Sequence, residues 1–330
     1  METNVPTTNS AGTLAERAML VSLRMSRWRA ERIDRGISER VASEYKMTAQ
    51  RAGKYAKYLI DPGTPSYRAV CRAYGDMRTR YYWHTLPWAH HGARIVPAVS
   101  FHKYSEDMRK CEQARQDAVN AFTAEWPRLA TLSVAESNGL ITASDLPDNI
   151  RDCFGIDLQV MPIPTVGDLR VQMSAEDAAR VKAQMQAGVD AQIREALTVA
   201  TRDGFERLYK HVSRMVERLS DKDASFHDSL IVGLRDLCAI LPALNITDDP
   251  QLEVLRDTAE RMVAGVEPGH LRDVPLIRER VCQDAKALQE KLAPHVAVNA
   301  SIAPASDAVI REAAGMEAAM GNMFNFARSI

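Results

Sequence analysis

The sequence predicts a mainly α protein of the α+β kind, in which a small N-terminal β-sheet with helices is followed by a bundle built on one long helix. Three observations carry that expectation. Residues 174–219 keep a helical apolar period over about 45 residues, several times the usual helix length of ~11–12. Alternating apolar stretches, at Met19–Trp28 and around Ile156, Leu158 and Val160, are short and precede the long helix. Aromatic residues crowd the first third, with 12 of the 20 before residue 111, which sets its construction apart from the rest.

The long helix opens on Ser174 with Asp177 three residues on, a capping pair whose carboxylate also suits the positive end of the helix dipole. Its apolar residues are Val181, Met185, Val189, Ile193, Leu197, Phe205, Leu208, Val212, Met215, Val216 and Leu219. Early steps of four give way to mixed threes and fours, an average of about 3.8. That is wider than the 3.5 of a left-handed coiled coil and points to the spine of a bundle. Gly188 and Gly204 are the expected kink points, because glycine costs a helix interior about 1 kcal/mol against alanine.

Along the chain, Thr/Asn/Ser-rich residues 1–13 read as a disordered tail. MLVSLRMSRW alternates as a strand, with a helix from Thr13 as the competing reading. Basic helices are expected at 37–46 and 48–59, the second capped by Thr48 and ended by Asp61-Pro62-Gly63. Thr64-Pro65 starts another helix through SYRAVCRAYGDMRTR. Two short strands flank a turn near His91-Gly92, with Pro87 and Pro97 confined to edges. A helix from Ser105 should stop before Pro127 and a separate piece should cover 128–137, ahead of a break at Asn138-Gly139. The strand in FGIDLQVMPIPTVGDLR is stopped by Pro162 and Pro164. After the long helix, Ser225 caps a helix to Leu241-Pro242, Asp248-Asp249-Pro250 starts one to about Ala264, and another covers 275–292. A linker through Pro294–Pro304 precedes a Met-rich amphipathic helix, Asp307–Arg328, read either as a core strip or as a docking helix. The resulting domains are a basic, aromatic α+β module at 14–170, a helical bundle at 171–293, and a linker with tail helix at 294–330.

Net charge is −1, yet residues 1–110 hold 19 Lys/Arg against 10 Asp/Glu, leaving 23 against 33 beyond. Such halves can attract one another, or the basic one can meet an external polyanion. No apolar run nears the ~20 residues of a membrane span and the opening residues do not form a signal peptide, so a cytoplasmic protein is expected. Cys71, Cys111, Cys153, Cys238 and Cys282 lack any CxxC spacing and read as buried thiols.

Two constellations carry a chemical reading. Basic residues interleave with aromatics in RMSRWRAER, RAGKYAKYL and RTRYYWH, a pattern that can neutralise phosphates and stack on bases. The corresponding candidates for nucleic-acid contact are Arg24, Arg27, Arg29, Lys54, Lys57, Arg78 and Arg80. Helices also set Lys and Arg on wet faces with Tyr at the core boundary for no functional reason. His84, His90, His91 and His102 fall within 19 residues, beside Trp83, Trp88 and Tyr104, and form a candidate metal site for a metal-dependent enzyme. The alternative is a hairpin with solvated or core-edge imidazoles, and no HExxH spacing is present. The carboxylate pairs at 221/223 and 248/249 sit at helix starts and read as caps. GxxxxGK[ST], GxGxxG and GxSxG are all absent, so no cofactor and no catalytic residues are expected.

LVSLRMSRW, LIDP at Leu59–Pro62, ARIVPAVSF, FGIDLQVMPIPTVGDLR and LNITDDPQL at Leu244–Leu252 together resemble a helical family of unknown function from tailed phages and prophages. The resemblance is scattered over most of residues 19–290. It implies a neighbourhood of genes for a MoxR-type AAA+ ATPase and a cobaltochelatase-like protein with a von Willebrand A domain. On that basis the chain would be a non-enzymatic adaptor or substrate of such machinery, acting through a protein partner in the host cytoplasm. The resemblance supplies no catalytic residues.

Overall fold

The computed structural model describes residues 10–88, 92–164, 175–221 and 227–297. Helix α1 (Ser10–Arg17) passes directly into β1 (Ala18–Ser26), so the expected strand forms, and the helix that competed for the same residues ends before them at Arg17. β1 is an inner strand of a four-stranded sheet ordered β4 (Leu86–Pro87), β5 (Arg94–Pro97), β1, β6 (Gly155–Met161), with every neighbouring pair antiparallel. It runs beside β6 from Leu20 opposite Met161 to Ser26 opposite Gly155. Pro87 lies on edge strand β4 as expected, whereas Pro97 is the last residue of inner strand β5, paired with Ala18.

The β1 alternation has a packing cause. Val21 and Val96 on one sheet face meet Met77 and Tyr81 of α4 (Pro65–His84) and Tyr104 and Met108 of α5 (Phe101–Glu136), with Met19, Leu23 and Ile156 at the margin. Further along the same two helices lies an aromatic core of Tyr67, Tyr74, Phe122 and Trp126, joined by Trp28 from just after β1 and Phe154 from just before β6. Thr64 does not cap α4 with its side chain; its hydroxyl donates to the Asp61 carbonyl at 2.7 Å, and Pro65 fills the first turn.

Several expectations about helix limits are corrected. The helix expected to end before Pro127 runs through it as one element from Phe101 to Glu136. Proline removes an intrahelical donor and costs about 3 kcal/mol. Here Trp126 on one side and Leu129 and Ala130 on the other pack against the same aromatic core, which holds both turns in line. The break then falls at Asn138 and Gly139, both with positive φ. Second, the helix expected at 48–59 is only α3 (Ala49–Ala52), which follows α2 (Arg35–Glu44) and stops at Gly53, whose φ is +83°. The chain beyond Gly53 becomes β3 (Ala56–Tyr58), paired antiparallel with β2 (Glu31–Ile33). Third, the linker expected from Pro294 begins later, because α10 (Pro275–Ala297) continues through that proline, with His295 stacked on Phe205 at 4.4 Å.

The long helix, α6, spans Ala175–Ser220 without interruption. Ser174, residues 1–9 of the expected tail, Ser225 and the Met-rich helix at 307–328 lie outside the described residues, whereas residues 10–13 of that tail belong to α1. Helix α7 (Ser229–Leu244) continues past the expected stop at Pro242. Asp249 caps α8 (Pro250–Val263), accepting from the Gln251 and Leu252 amides, as its position before proline implies. A short helix, α9 (Pro268–Asp273), escapes the sequence pattern.

The chain divides into two compact units, Met1–Asp203 with Pro242–Asp248, and Gly204–Leu241 with Asp249–Ile330. Their division falls inside α6, whereas composition places the domain boundary at 170/171. The second unit buries Leu208, Val212, Met215 and Leu219 of α6 together with Leu234, Leu237 and Leu241 of α7 and Ala285, Leu288 and Leu292 of α10. Gly204 lies inside the uninterrupted helix. A Cβ there would lie 2.9 Å from the Leu252 side chain, so the residue allows close approach of α8, while a Cβ at Gly188 would meet open space.

These two glycines should therefore respond oppositely to alanine. Gly188→Ala is expected to raise the unfolding free energy by about 0.5–1 kcal/mol through helix propensity. Gly204→Ala is expected to lower it by about 1 kcal/mol, because overpacking against Leu252 outweighs that gain. Urea denaturation of the two single variants reads both signs.

Candidate interaction surfaces

Residues 31–58 form a β-α-α-β excursion whose ends are tied into the core. Ala30 and Leu59 are both buried and joined by a Leu59 amide to Ala30 carbonyl bond of 2.7 Å, and the Ala30 amide donates to the Tyr67 hydroxyl at 3.1 Å. Between these anchors only Ala42 and Lys57 are buried among residues with described side chains. Such a segment has almost no apolar core of its own, so polar contacts must hold it in place.

Those contacts converge on Lys57, which is only 8% exposed. Its ammonium donates to the Leu140 carbonyl at 2.8 Å and to Asp145 Oδ2 at 2.9 Å, and sits 3.3 Å from Asp34 Oδ2. Three acceptors match its three N–H groups, the condition under which a charge can be taken out of water. Arg32, opposite Lys57 in the ribbon, donates to Asp145 Oδ1 at 3.1 Å and to the Ser144 carbonyl at 3.3 Å. Asp34 meanwhile accepts from the Ile37 amide at 3.0 Å and caps α2. The Thr142 amide, with Lys57 and the Thr142 hydroxyl, holds the Asp145 carboxyl down at about 2 despite its partial burial. Hydrogen bonding to Asp145 raises the Lys57 ammonium above its ordinary value. An open groove of about 580 Å³ runs beside this strut, between the first turn of α2 (Asp34, Gly36, Ile37, Arg40) and residues 138–140.

The strut decides the fate of one sequence candidate. Lys57 is turned inward and fully engaged, so it cannot also meet a phosphate. Lys54 is exposed beyond α3; Arg24 is exposed on β1, Arg78 and Arg80 are exposed on α4, and Arg29 is exposed after β1 beside half-buried Arg27. The interleaved aromatics also separate. Trp28 packs 5.0 Å from Trp126, Tyr81 is buried with its hydroxyl on the Val21 carbonyl, and Tyr82 lies under the Arg94 guanidinium at 4.7 Å, whereas Tyr55 and Tyr58 face solvent.

Of the histidine candidates, His84 is buried at the end of α4, with Nε2 2.9 Å from Asp107 Oδ2 on α5; Lys103 holds the other carboxylate oxygen at 3.1 Å. Burial pushes the imidazole below its ordinary value, against the pull of Asp107. Facing a carboxylate, which only accepts, Nε2 is the donor, and the bond ties α4 to α5. Its Nδ1 and the Tyr104 hydroxyl are buried without hydrogen-bond partners. His102 is exposed on α5, and His90 and His91 lie outside the described residues. Among the described residues no three His, Cys, Asp or Glu side chains come together in a way that could hold a metal ion. The five cysteines are unpaired thiols as expected: Cys238 and Cys282 are buried, the other three partly so.

A second surface lies on α6. From Ile193 onward the helix buries a residue on nearly every turn: Ile193, Ala196, Ala200, Phe205, Leu208, Val212, Met215 and Leu219. Over residues 180–192 no described side chain is buried, although the same apolar stripe continues there as Val181, Met185 and Val189. Each four-residue step overshoots one turn by about 40°, so the stripe winds slowly around the helix.

Sequence reasoning missed Tyr45, which stands alone in an acidic-to-basic transition, and the strut acids Asp34 and Asp145, which are 111 positions apart. Only the single Asp-Arg-Gly helix start at Asp34 carried a local signal, and it was a capping signal. No protein-family model, curated protein or solved structure matches the chain. Among the described residues no helix is long and apolar enough to cross a membrane.

Lys57→Met leaves Asp34 and Asp145 facing each other without their shared cation. Amide exchange across residues 31–58 should then accelerate at least about tenfold relative to the β1–β6 amides, read by hydrogen–deuterium exchange. Because the Asp145 carboxyl titrates lower folded than unfolded, its stabilisation is complete above its ordinary 3.8 and fades as pH falls toward about 2. Asp145→Asn should loosen the excursion at neutral pH and flatten that acid dependence.

Proposed function

We propose that the chain is a non-enzymatic adaptor that docks a protein partner along residues 180–192 of α6. The observation carrying this reading is the continuation of the α6 core stripe onto Val181, Met185 and Val189, none of which is buried. A helix presenting apolar side chains at i, i+4 and i+8 suits a groove in a partner, and methionine adapts to its shape. The ion pairs of the strut and the His84–Asp107 hydrogen bond join neighbouring elements, which is a structural use of these groups.

The resemblance to tailed-phage and prophage proteins names a partner class, a MoxR-type AAA+ ATPase acting with a von Willebrand A protein in the host cytoplasm. The chain would present itself, or a bound cargo, to that ATPase.

The test is co-expression of the chain with a MoxR-type ATPase and a cobaltochelatase-like von Willebrand A protein from the same genome. Co-purification of a stoichiometric complex is expected, and Met185→Glu with Val189→Glu should reduce recovery at least about tenfold while leaving the melting temperature within a few degrees. Recovery of the wild-type chain alone at micromolar concentrations overturns the reading, as does equal recovery with the double variant.

A further inference from the structure

We propose that residues 45–58 are a binding surface for single-stranded nucleic acid. Its first support is where the rings are. Among the described residues, the exposed large apolar side chains include three aromatics, Tyr45 at 67%, Tyr55 at 41% and Tyr58 at 55%, and all three fall in this one segment. Every other described tyrosine, tryptophan and phenylalanine is buried or half-buried. Rings left in water contribute nothing to a core, yet they are placed on an excursion whose backbone is firmly held. The Tyr55 amide donates to the Ser38 hydroxyl at 2.9 Å, the Asp34 amide donates to the Tyr55 carbonyl at 2.9 Å, and the Tyr45 amide donates to the Val41 carbonyl at 3.1 Å. Tyr58 is paired in the ribbon beside Lys57, and strand alternation turns its ring to the face opposite the strut.

The second support is charge. Residues 45–58 contain Lys46, Arg51, Lys54 and Lys57 and no Asp or Glu. With Lys57 committed to the strut, Lys46, Arg51 and Lys54 are exposed and make no ion pair among the described residues. The acids of the excursion lie before this stretch: Glu31, across the ribbon from Tyr58, Asp34 in the strut, and Glu39 and Glu44 on α2.

Cations alternating with presented rings, with no acid between them, match a polyanion that also offers flat faces. Single strands do so, because their unstacked bases can lie on tyrosine while lysine and arginine neutralise phosphates. A duplex keeps its base faces stacked inside, and an acidic polypeptide brings charge without planar faces. The surface differs from the seven cations singled out from the sequence, of which only Lys54 is a usable member of it. It is also separate from the α6 stretch that carries the adaptor reading, so the two can fail independently.

Fluorescence anisotropy of the full chain with an oligodeoxythymidylate of about 20 nucleotides, the matched dT:dA duplex and polyglutamate decides the matter. Tightest binding to the single strand is expected, at least about tenfold over either competitor. Tyr45→Ser, Tyr55→Ser and Tyr58→Ser together should weaken it about 10- to 100-fold. Lys46→Gln, Arg51→Gln and Lys54→Gln should weaken it and reduce the slope of log K against log salt by about 2. If the triple tyrosine variant melts differently from wild type, Tyr45→Ser alone, outside the ribbon, should still cost about fivefold. Equal binding of the duplex points to plain phosphate attraction and equal binding of polyglutamate to an acidic protein partner; either overturns the proposal. So does a wild-type affinity in the tyrosine variants, or no binding at low salt.

Discussion

Phe122 is excluded from solvent and touches four other aromatic rings, Trp28, Tyr67, Trp126 and Phe154, at centroid distances of 5.6–6.2 Å. Those rings come from just after β1, from α4, from α5 and from just before β6, so one side chain ties four parts of the chain together. Aromatic contacts of this kind contribute about 0.5–1.5 kcal/mol each beyond their buried area. Together they amount to about 2–6 kcal/mol, the same order as the ~3 kcal/mol cost of Pro127, five residues further along α5. They also fix where the chain leaves and rejoins the body around the excursion, since Ala30 and Ile60 belong to the same cluster.

The excursion follows the opposite rule. It lacks an apolar interior and is held by charges, with one lysine and one arginine on two aspartates and backbone carbonyls. Burying an ion pair gives little net stability compared with apolar packing, but breaking one leaves a charge without solvent or partner. The strut therefore sets geometry more than it adds stability. This leaves the rest of the segment free to be polar and ring-bearing outside, and the tyrosines there lie outside the core. A surface can hold exposed rings in fixed positions only when something else supplies its order.

Much of the architecture was legible in local pattern. The β1 alternation at Val21, Leu23 and Met25, the Asp249 cap, the Asn138-Gly139 break and the length of α6 all follow from spacing and turn chemistry within a few residues. Proline was misleading in three helices, at Pro127, Pro242 and Pro294, because helix continuation there is decided by packing on either side. Residues 54–58 read as helix from composition and became strand because Gly53 turns the chain toward residues 31–33. Of the nucleic-acid candidates, Lys57 and Lys54 look alike in sequence; three acceptors from distant segments take Lys57 inward and leave Lys54 outside. The histidine cluster likewise dissolves into a buried His84 paired with Asp107 and an exposed His102.

By itself the sequence determined the fold class, the long helix with its winding apolar stripe, and the concentration of cations and rings in the first third. These are properties of period and composition, written into neighbouring residues. Tertiary structure alone decided which rings became core and which stayed in water, which lysine became a strut, and where the α6 stripe ceases to be buried. Each of those outcomes depends on groups far apart in the chain meeting at distances of a few ångströms. Asp145 reaching Lys57 across 88 positions is the plainest case. Burial and pairing are set by such meetings, and a local pattern holds no record of them.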